Sequence, residues 1–157
     1  MIDDVDFDLV GRLASRAELH AAADWWAQQL LGGAFHNSGD ATIDAVASFA
    51  AGKLKPISEW QVKMFRNALV ALLAVRCAAS GWKEDDPNWA AAHRGLHADY
   101  GPDCTIRAAL EYAMIGDGEL RVPIKTSMWV NPGSVKVRHG YGSSVTVLYP
   151  AAEVPKS

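Results

Sequence analysis

Cys104 and His139 are the pair of side chains whose types could support covalent catalysis. Cys104 is predicted to open a helix, where the helix dipole and the unpaired backbone N–H groups stabilise a thiolate. His139 follows a predicted strand and could act as the base that takes the thiol proton, with Asp99, Asp103 or Asp117 orienting the imidazole. This pair gives one functional hypothesis, a cysteine-dependent hydrolase or transferase.

The order of cysteine, helix and then histidine on a β-meander resembles the NlpC/P60 family of papain-like cell-wall peptidases. In that family an Asp-Cys-Ser segment opens the helix, and Asp103-Cys104-Thr105 stands at the equivalent place in this chain. The resemblance implies that Cys104 is the nucleophile, that His139 is its base and that Asp103 lies beside them. Ile106 replaces the glycine that commonly follows, so the motif is incomplete.

His93 and His97 are the histidines with metal-ligand spacing. They lie four residues apart, as do the histidines of the zinc peptidase motif His-Glu-x-x-His, and Asp99 would complete a set that suits zinc or iron. Arg94 stands where that motif has its glutamate base, and Gly95 is expected to end the helix between the two rings. We therefore expect solvated or locally hydrogen-bonded histidines, no metal and no other cofactor.

Trp129 is the candidate for the centre of a binding surface. It alternates with Met128 and Val130 in a predicted strand, so its ring points away from the face that those two residues bury. Exposed aromatic residues are enriched at the centres of protein interfaces. The predicted interface on this outer face also includes Lys136, Arg138 and Tyr141.

Helices are the elements predicted for most of the chain before Gly116. Ser15 and Glu18 form a capping box in which Glu18 reaches back to the cap, and Ser58 and Gln61 form a second one. Asp103 ends a Gly-Pro-Asp segment that precedes another helix. The helical spacing of apolar residues predicts helices over 15–31, 41–51, 58–80 and 104–115. Residues 4–14 are expected to form a short acidic first helix, and 89–94 a short helical turn.

Strands are predicted after Gly116, where the apolar pattern changes from helical spacing to strict alternation. Turns at 131–134 and 139–142 separate three alternating runs. The fold class is therefore α+β: a helical N-terminal two-thirds packed on a C-terminal three-stranded antiparallel β-meander. Residues 96–100 are expected to add a fourth short strand.

The length of 157 residues and the 50% hydrophobic content are typical of one folded domain. We expect residues 1–157 to form a single compact domain. Within it, 1–95 would be mainly helical, 96–150 would form the strand, helix and meander, and 151–157 would be a tail.

Charge and cysteine content narrow the function classes. The net charge of −3 argues against a nucleic-acid partner, which usually meets a basic surface. Two cysteines do not make a disulfide framework, and no apolar run is long enough to span a bilayer. With an acidic N-terminus unlike a signal peptide, the sequence predicts a cytoplasmic protein without a membrane partner.

Binding is favoured over catalysis, because the catalytic motif is incomplete. We expect a non-catalytic protein-binding domain, a modulator or inhibitor of a larger intracellular machine. Its partner would be another protein or a second copy of this chain. The alanine-rich composition favours a bacterial or phage origin. The alternative is the papain-like enzyme that uses Cys104 and His139.

Overall fold

Helices precede a four-stranded antiparallel sheet in a computed structural model of the protein, so the predicted α+β class is confirmed. The structure describes residues 16–31, 42, 55–83, 85–118, 121–140 and 142–150. The helices predicted over 4–14 and, Thr42 apart, over 41–51 lie outside the described residues.

Three α-helices lie within the described ranges: α1 (Arg16–Leu31), α2 (Glu59–Ser80) and α3 (Cys104–Tyr112). The predicted capping box at the start of α2 is confirmed. The Ser58 hydroxyl accepts a hydrogen bond from the Gln61 backbone N–H, and the Gln61 side chain accepts one from the Ser58 N–H. α3 ends before the predicted residue 115, and the turn predicted over 89–94 is a 3₁₀ helix at Ala91–His93.

The sheet runs in chain order through β1 (Leu96–Ala98), β2 (Thr126–Asn131), β3 (Ser134–His139) and β4 (Thr146–Tyr149). Strands β2 to β4 are the predicted meander. β1 is the expected fourth short strand, and it pairs with β2 so that its first residue lies opposite Met128. The pairing of β3 with β4 contains a register shift at Val135 and Lys136.

The core lies between the inner face of the sheet and the helices. α1 packs on β2, β3 and β4 on one side and on α2 on the other, and α2 also packs on α3. Alternation along β2 and β3 explains which residues face α1. Those that point inward are buried: Met128, Val130, Val135 and Val137.

Glu18 links the first turn of α1 to the sheet. Its side chain is only 4% exposed, and Oε1 accepts a hydrogen bond of 3.1 Å from the Gly133 N–H in the turn between β2 and β3. A distant backbone donor thus holds the carboxylate. Ser15, the other half of the predicted capping box, lies outside the described residues.

Candidate functional site

Cys104 and His139, the predicted nucleophile and base, are held in different surroundings. Cys104 is the exposed first residue of α3. His139 ends β3, and its ring centroid lies 5.9 Å from that of Trp25 on α1. Thr126 is opposite His139, and Ala98 is opposite Thr126, so β2 separates His139 from the β1 edge by two strand spacings, about 10 Å. The imidazole packs against Trp25 on α1, whereas the thiol is exposed at the start of α3.

Asp103, the predicted orienting carboxylate, uses both of its oxygens to hold backbone. Oδ1 accepts hydrogen bonds of 3.0 Å from the N–H groups of Thr105 and Ile106, which caps α3. Oδ2 accepts one of 2.8 Å from the His97 N–H in β1. The Asp103 N–H donates in turn to the His97 carbonyl at 3.0 Å. Asp103 thus joins the start of α3 to the edge of the sheet.

The two thiols are expected to react very differently in the folded protein. Cys77 is buried, as predicted, and burial raises the pKa of its thiol to about 11, whereas Cys104 is exposed. At about pH 8 an uncharged alkylating reagent should therefore modify Cys104 alone, because only the thiolate is a good nucleophile. Mass spectrometry should find one adduct on the native chain and two after unfolding. A Cys104→Ser variant is the control, and fast modification of Cys77 in that folded variant would contradict the expectation.

The histidines with metal-ligand spacing do not assemble into a metal site. His93 closes the 3₁₀ helix, and its carbonyl accepts a hydrogen bond of 3.1 Å from Arg76 Nε. His97 is an exposed residue of β1, and Asp99 follows that strand. Within the described parts of the chain, no group of three histidine, cysteine, aspartate or glutamate residues could hold a metal ion.

Arg94 has a structural role that the sequence does not indicate. It is fully buried, and its guanidinium lies 5.5 Å from the Trp82 ring centroid. Burial lowers the pKa of this arginine below its ordinary value. All the acceptors of its hydrogen bonds are neutral oxygens at 2.8–3.1 Å: the carbonyls of Gly81, Pro87, Trp89 and Val130 and the side-chain oxygen of Asn131.

These contacts give Arg94 a clear structural role. Its five hydrogen bonds fasten the chain between α2 and β1 to the end of β2. A guanidinium has five N–H donors in a rigid fork, which suits several fixed acceptors at once. In the sequence, Arg94 stands out only as the residue at the position of a glutamate base. No nearby acidic residue marks it as structural, because its acceptors are mostly carbonyls that every residue carries.

The outer face of the sheet brings together most of the predicted interface. Trp129 lies opposite Lys136 on the neighbouring strand, and Lys136 lies opposite Val147 on β4. The Arg138 guanidinium carbon is 5.8 Å from the Trp129 ring centroid. Lys136 and Val147 are exposed, and Trp129 is partly exposed. Tyr141, the fourth predicted interface residue, lies outside the described residues.

The charge on this part of the chain has one sign. Residues 121–150 contain no aspartate or glutamate, whereas Lys136 and Arg138 both belong to β3. The basic side chains on the outer face of the described strands therefore have no acidic counterpart within residues 121–150. In the described part of the chain, no helix has the length and apolarity that a bilayer crossing requires.

The described residues form an antiparallel sheet backed by helices, with aromatic and basic side chains on its outer face. The chain belongs to the BTG family, whose model matches residues 40–149, more than half of the sequence. BTG/Tob domains are protein-interaction domains, which agrees with the expectation of a protein partner.

Two similar proteins extend this finding. A BTG family protein of Dictyostelium discoideum is 29% identical over 154 residues, and the match covers 95% of this chain and 30% of that protein. The chain therefore spans less than a third of this relative's length. The BTG/Tob domain of C. elegans FOG-3 shares the fold with a TM-score of 0.62 at 16% identity, over 85% of this chain and 88% of that one.

These comparisons correct two predictions. The relatives come from Dictyostelium discoideum and C. elegans, both eukaryotes, so the predicted bacterial or phage origin is wrong. The papain-like hydrolase or transferase is also wrong, because the chain is a BTG domain. The resemblance to NlpC/P60 peptidases depended on the order of a cysteine, a helix, strands and a histidine. That order does not fix which face of the sheet the histidine occupies, and His139 packs against Trp25 on α1.

Proposed function

We propose that this domain binds a partner protein through the outer face of its sheet, with Trp129 at the centre of the contact. The observation that carries the proposal is the row of Trp129, Lys136 and Val147 across three neighbouring strands. An indole, a cation and an exposed aliphatic side chain side by side form an apolar centre with a charged border. Tryptophan and arginine are also the residues most enriched among those that dominate binding energies.

The contact between Arg138 and Trp129 favours binding in a second way. A cation held over an aromatic face limits the rotation of the ring, so less side-chain entropy is lost when a partner covers it. Lys136, on the same strand as Arg138, lies directly opposite Trp129, so two basic side chains are next to the indole. Basic groups at the border of an interface attract an acidic partner during encounter and disfavour basic ones.

The charge pattern favours a different protein over a second copy of this chain as the partner. Two copies meeting face to face would bring Lys136 and Arg138 against the same basic residues. Tyr141 remains part of the proposed surface on the basis of the sequence. We also retain one domain over residues 1–157, supported by a single core cluster that includes helices and strands, and a cytoplasmic location, supported by two free thiols.

A Trp129→Ala variant should lose the partner while the protein stays folded. The matched control is Trp60→Ala, which removes an exposed indole from the first turn of α2. The immobilised wild-type protein and both variants would be incubated with an extract of source cells, and bound proteins would be quantified by mass spectrometry. We expect a protein captured equally by wild type and Trp60→Ala but at least roughly tenfold less by Trp129→Ala.

Purified partner would then be titrated against each variant by calorimetry, and the melting temperature of each variant would be measured alongside. A partner that Trp129→Ala binds as tightly as wild type does would contradict the proposal. So would a partner that both variants lose to the same extent, because that pattern reports general damage and not a contact at the outer face.

A further inference from the structure

The two edges of the sheet differ in the hydrogen-bond partners of their outward backbone groups. At the β1 edge, the His97 N–H donates to the Asp103 carboxylate at 2.8 Å, and the His97 carbonyl accepts from the Asp103 N–H at 3.0 Å. Ala98 forms a further bridge with Pro102. The segment that leads into α3 therefore uses the backbone groups on the open side of β1.

β4 forms the opposite edge of the sheet, and no further strand pairs with it in the part of the chain that the structure describes. Residues 143–149 carry no charge and include Val145, Thr146 and Val147. Val145 and Val147 are 47% and 49% exposed. Proteins usually protect an edge strand with charged residues or a cover, and β-branched residues favour strand pairing. Among the residues that the structure describes, β4 thus combines an open edge with a composition that favours addition of a strand.

We propose that β4 accepts an extended, acidic segment of a partner protein as a fifth strand of the sheet. In this mode of recognition the backbone hydrogen bonds supply affinity, and alternate side chains supply specificity. The proposal uses the backbone edge of β4, and it shares Lys136 and Arg138 with the surface around Trp129.

Charge complementarity identifies the occupant. An added strand would lie about 5 Å from β4 and about 10 Å from β3, where Lys136 stands opposite Val147. Carboxylates on the outer side of the added strand come within reach of the long side chains of Lys136 and Arg138. A second copy of β4 would instead bring another sheet whose charges are all positive, since residues 121–150 carry no acidic residue.

The inner side of the added strand would meet a different surface. Leu148 and Tyr149 are partly buried and pack against the core near that edge. The preferred segment should therefore alternate acidic residues on one side with apolar residues on the other. This alternation is a specificity rule that an unstructured acidic tail without apolar residues would not satisfy.

A labelled peptide in which glutamate and valine alternate provides the test, with a peptide of alternating lysine and valine as its control. Fluorescence anisotropy should show that the glutamate peptide binds at least roughly tenfold more tightly than the lysine peptide. Amide hydrogen exchange should show new protection in residues 145–149. Equal binding of the two peptides, or protection confined to other parts of the protein, would overturn the proposal.

Three sets of variants locate the contact. Neighbouring N–H groups of a strand point to opposite sides, so one of Thr146→Pro and Val147→Pro removes an outward donor and the other a donor to β3. The more stable of the two should lose the glutamate peptide. Lys136→Glu should also weaken it, whereas Lys63→Glu on α2 should not. Light scattering that shows a dimer lost in the proline variants would overturn the acidic occupant in favour of a second copy.

Discussion

Replacing Arg94 with methionine should lower the free energy of unfolding by about 3–5 kcal/mol. The substitution keeps the volume of the buried side chain but leaves five oxygen atoms without their donor. Each buried polar group left without a partner costs about 1–3 kcal/mol, and water that enters the loop offsets part of this loss. Urea denaturation followed by circular dichroism measures the change, which corresponds to a melting temperature lower by about 10 °C.

A lysine at the same position should recover little of that stability. Arg94→Lys keeps the positive charge, but an ammonium has three donors on a flexible stem and cannot reach five acceptors arranged around a planar fork. Arg138→Met is the control for the loss of an arginine, and it should change stability by less than about 1 kcal/mol because Arg138 lies on the outer face of the sheet. Equal stability of Arg94→Met and Arg138→Met would show that the buried network contributes nothing measurable.

Removing the Asp103 side chain should cost about 2–3 kcal/mol, since Asp103→Ala loses a helix cap together with the fastening of β1. Asp103→Asn should be intermediate. Its amide oxygen can still accept from Thr105 and Ile106, but its NH₂ group would face the His97 N–H, and two donors repel each other. Chemical denaturation ranks the three proteins, and amide exchange at His97 reports the edge contact directly.

The exposed Asp85 supplies the matched control, because Asp85→Ala also removes one carboxylate. Its stability should remain within about 0.5 kcal/mol of the wild-type value. If Asp103→Ala were as stable as Asp85→Ala, the capping and edge contacts would not hold the two elements together. If Asp103→Asn exchanged the His97 amide as slowly as the wild type does, the proposed opposition of two donors would be wrong.

Local patterns account for the parts of the fold that the sequence predicted correctly. The capping box of Ser58 and Gln61 involves atoms three residues apart, so residue types alone identify it. The alternation of Met128, Trp129 and Val130 likewise assigns each side chain to one face of a strand. The short strand β1 was expected within residues 96–100, and it lies at Leu96–Ala98. Each of these features is decided within a few residues of the chain.

Long-range contacts explain what the sequence could not reveal. The Glu18 carboxylate accepts a hydrogen bond from the Gly133 N–H in a turn far along the chain, which local spacing does not indicate. Arg94 and Asp103 form hydrogen bonds with backbone groups of other elements. Because every residue carries such groups, residue type does not indicate these contacts. The resemblance to cysteine peptidases was misleading for the same reason, since order along the chain does not determine which residues meet.

The neutral acceptors of Arg94 also affect how far the sequence of the segment between α2 and β1 can change. Pro87 and Trp89 offer Arg94 their carbonyls, a group that every amino acid carries. Gly81 also offers its carbonyl, but its φ of 95° and the Trp89 ring beside it favour glycine at that position. The segment between α2 and β1 can therefore exchange most of its side chains over evolutionary time and still be drawn into the same path by one arginine. New side chains on this loop can therefore create new binding properties while the backbone keeps its conformation.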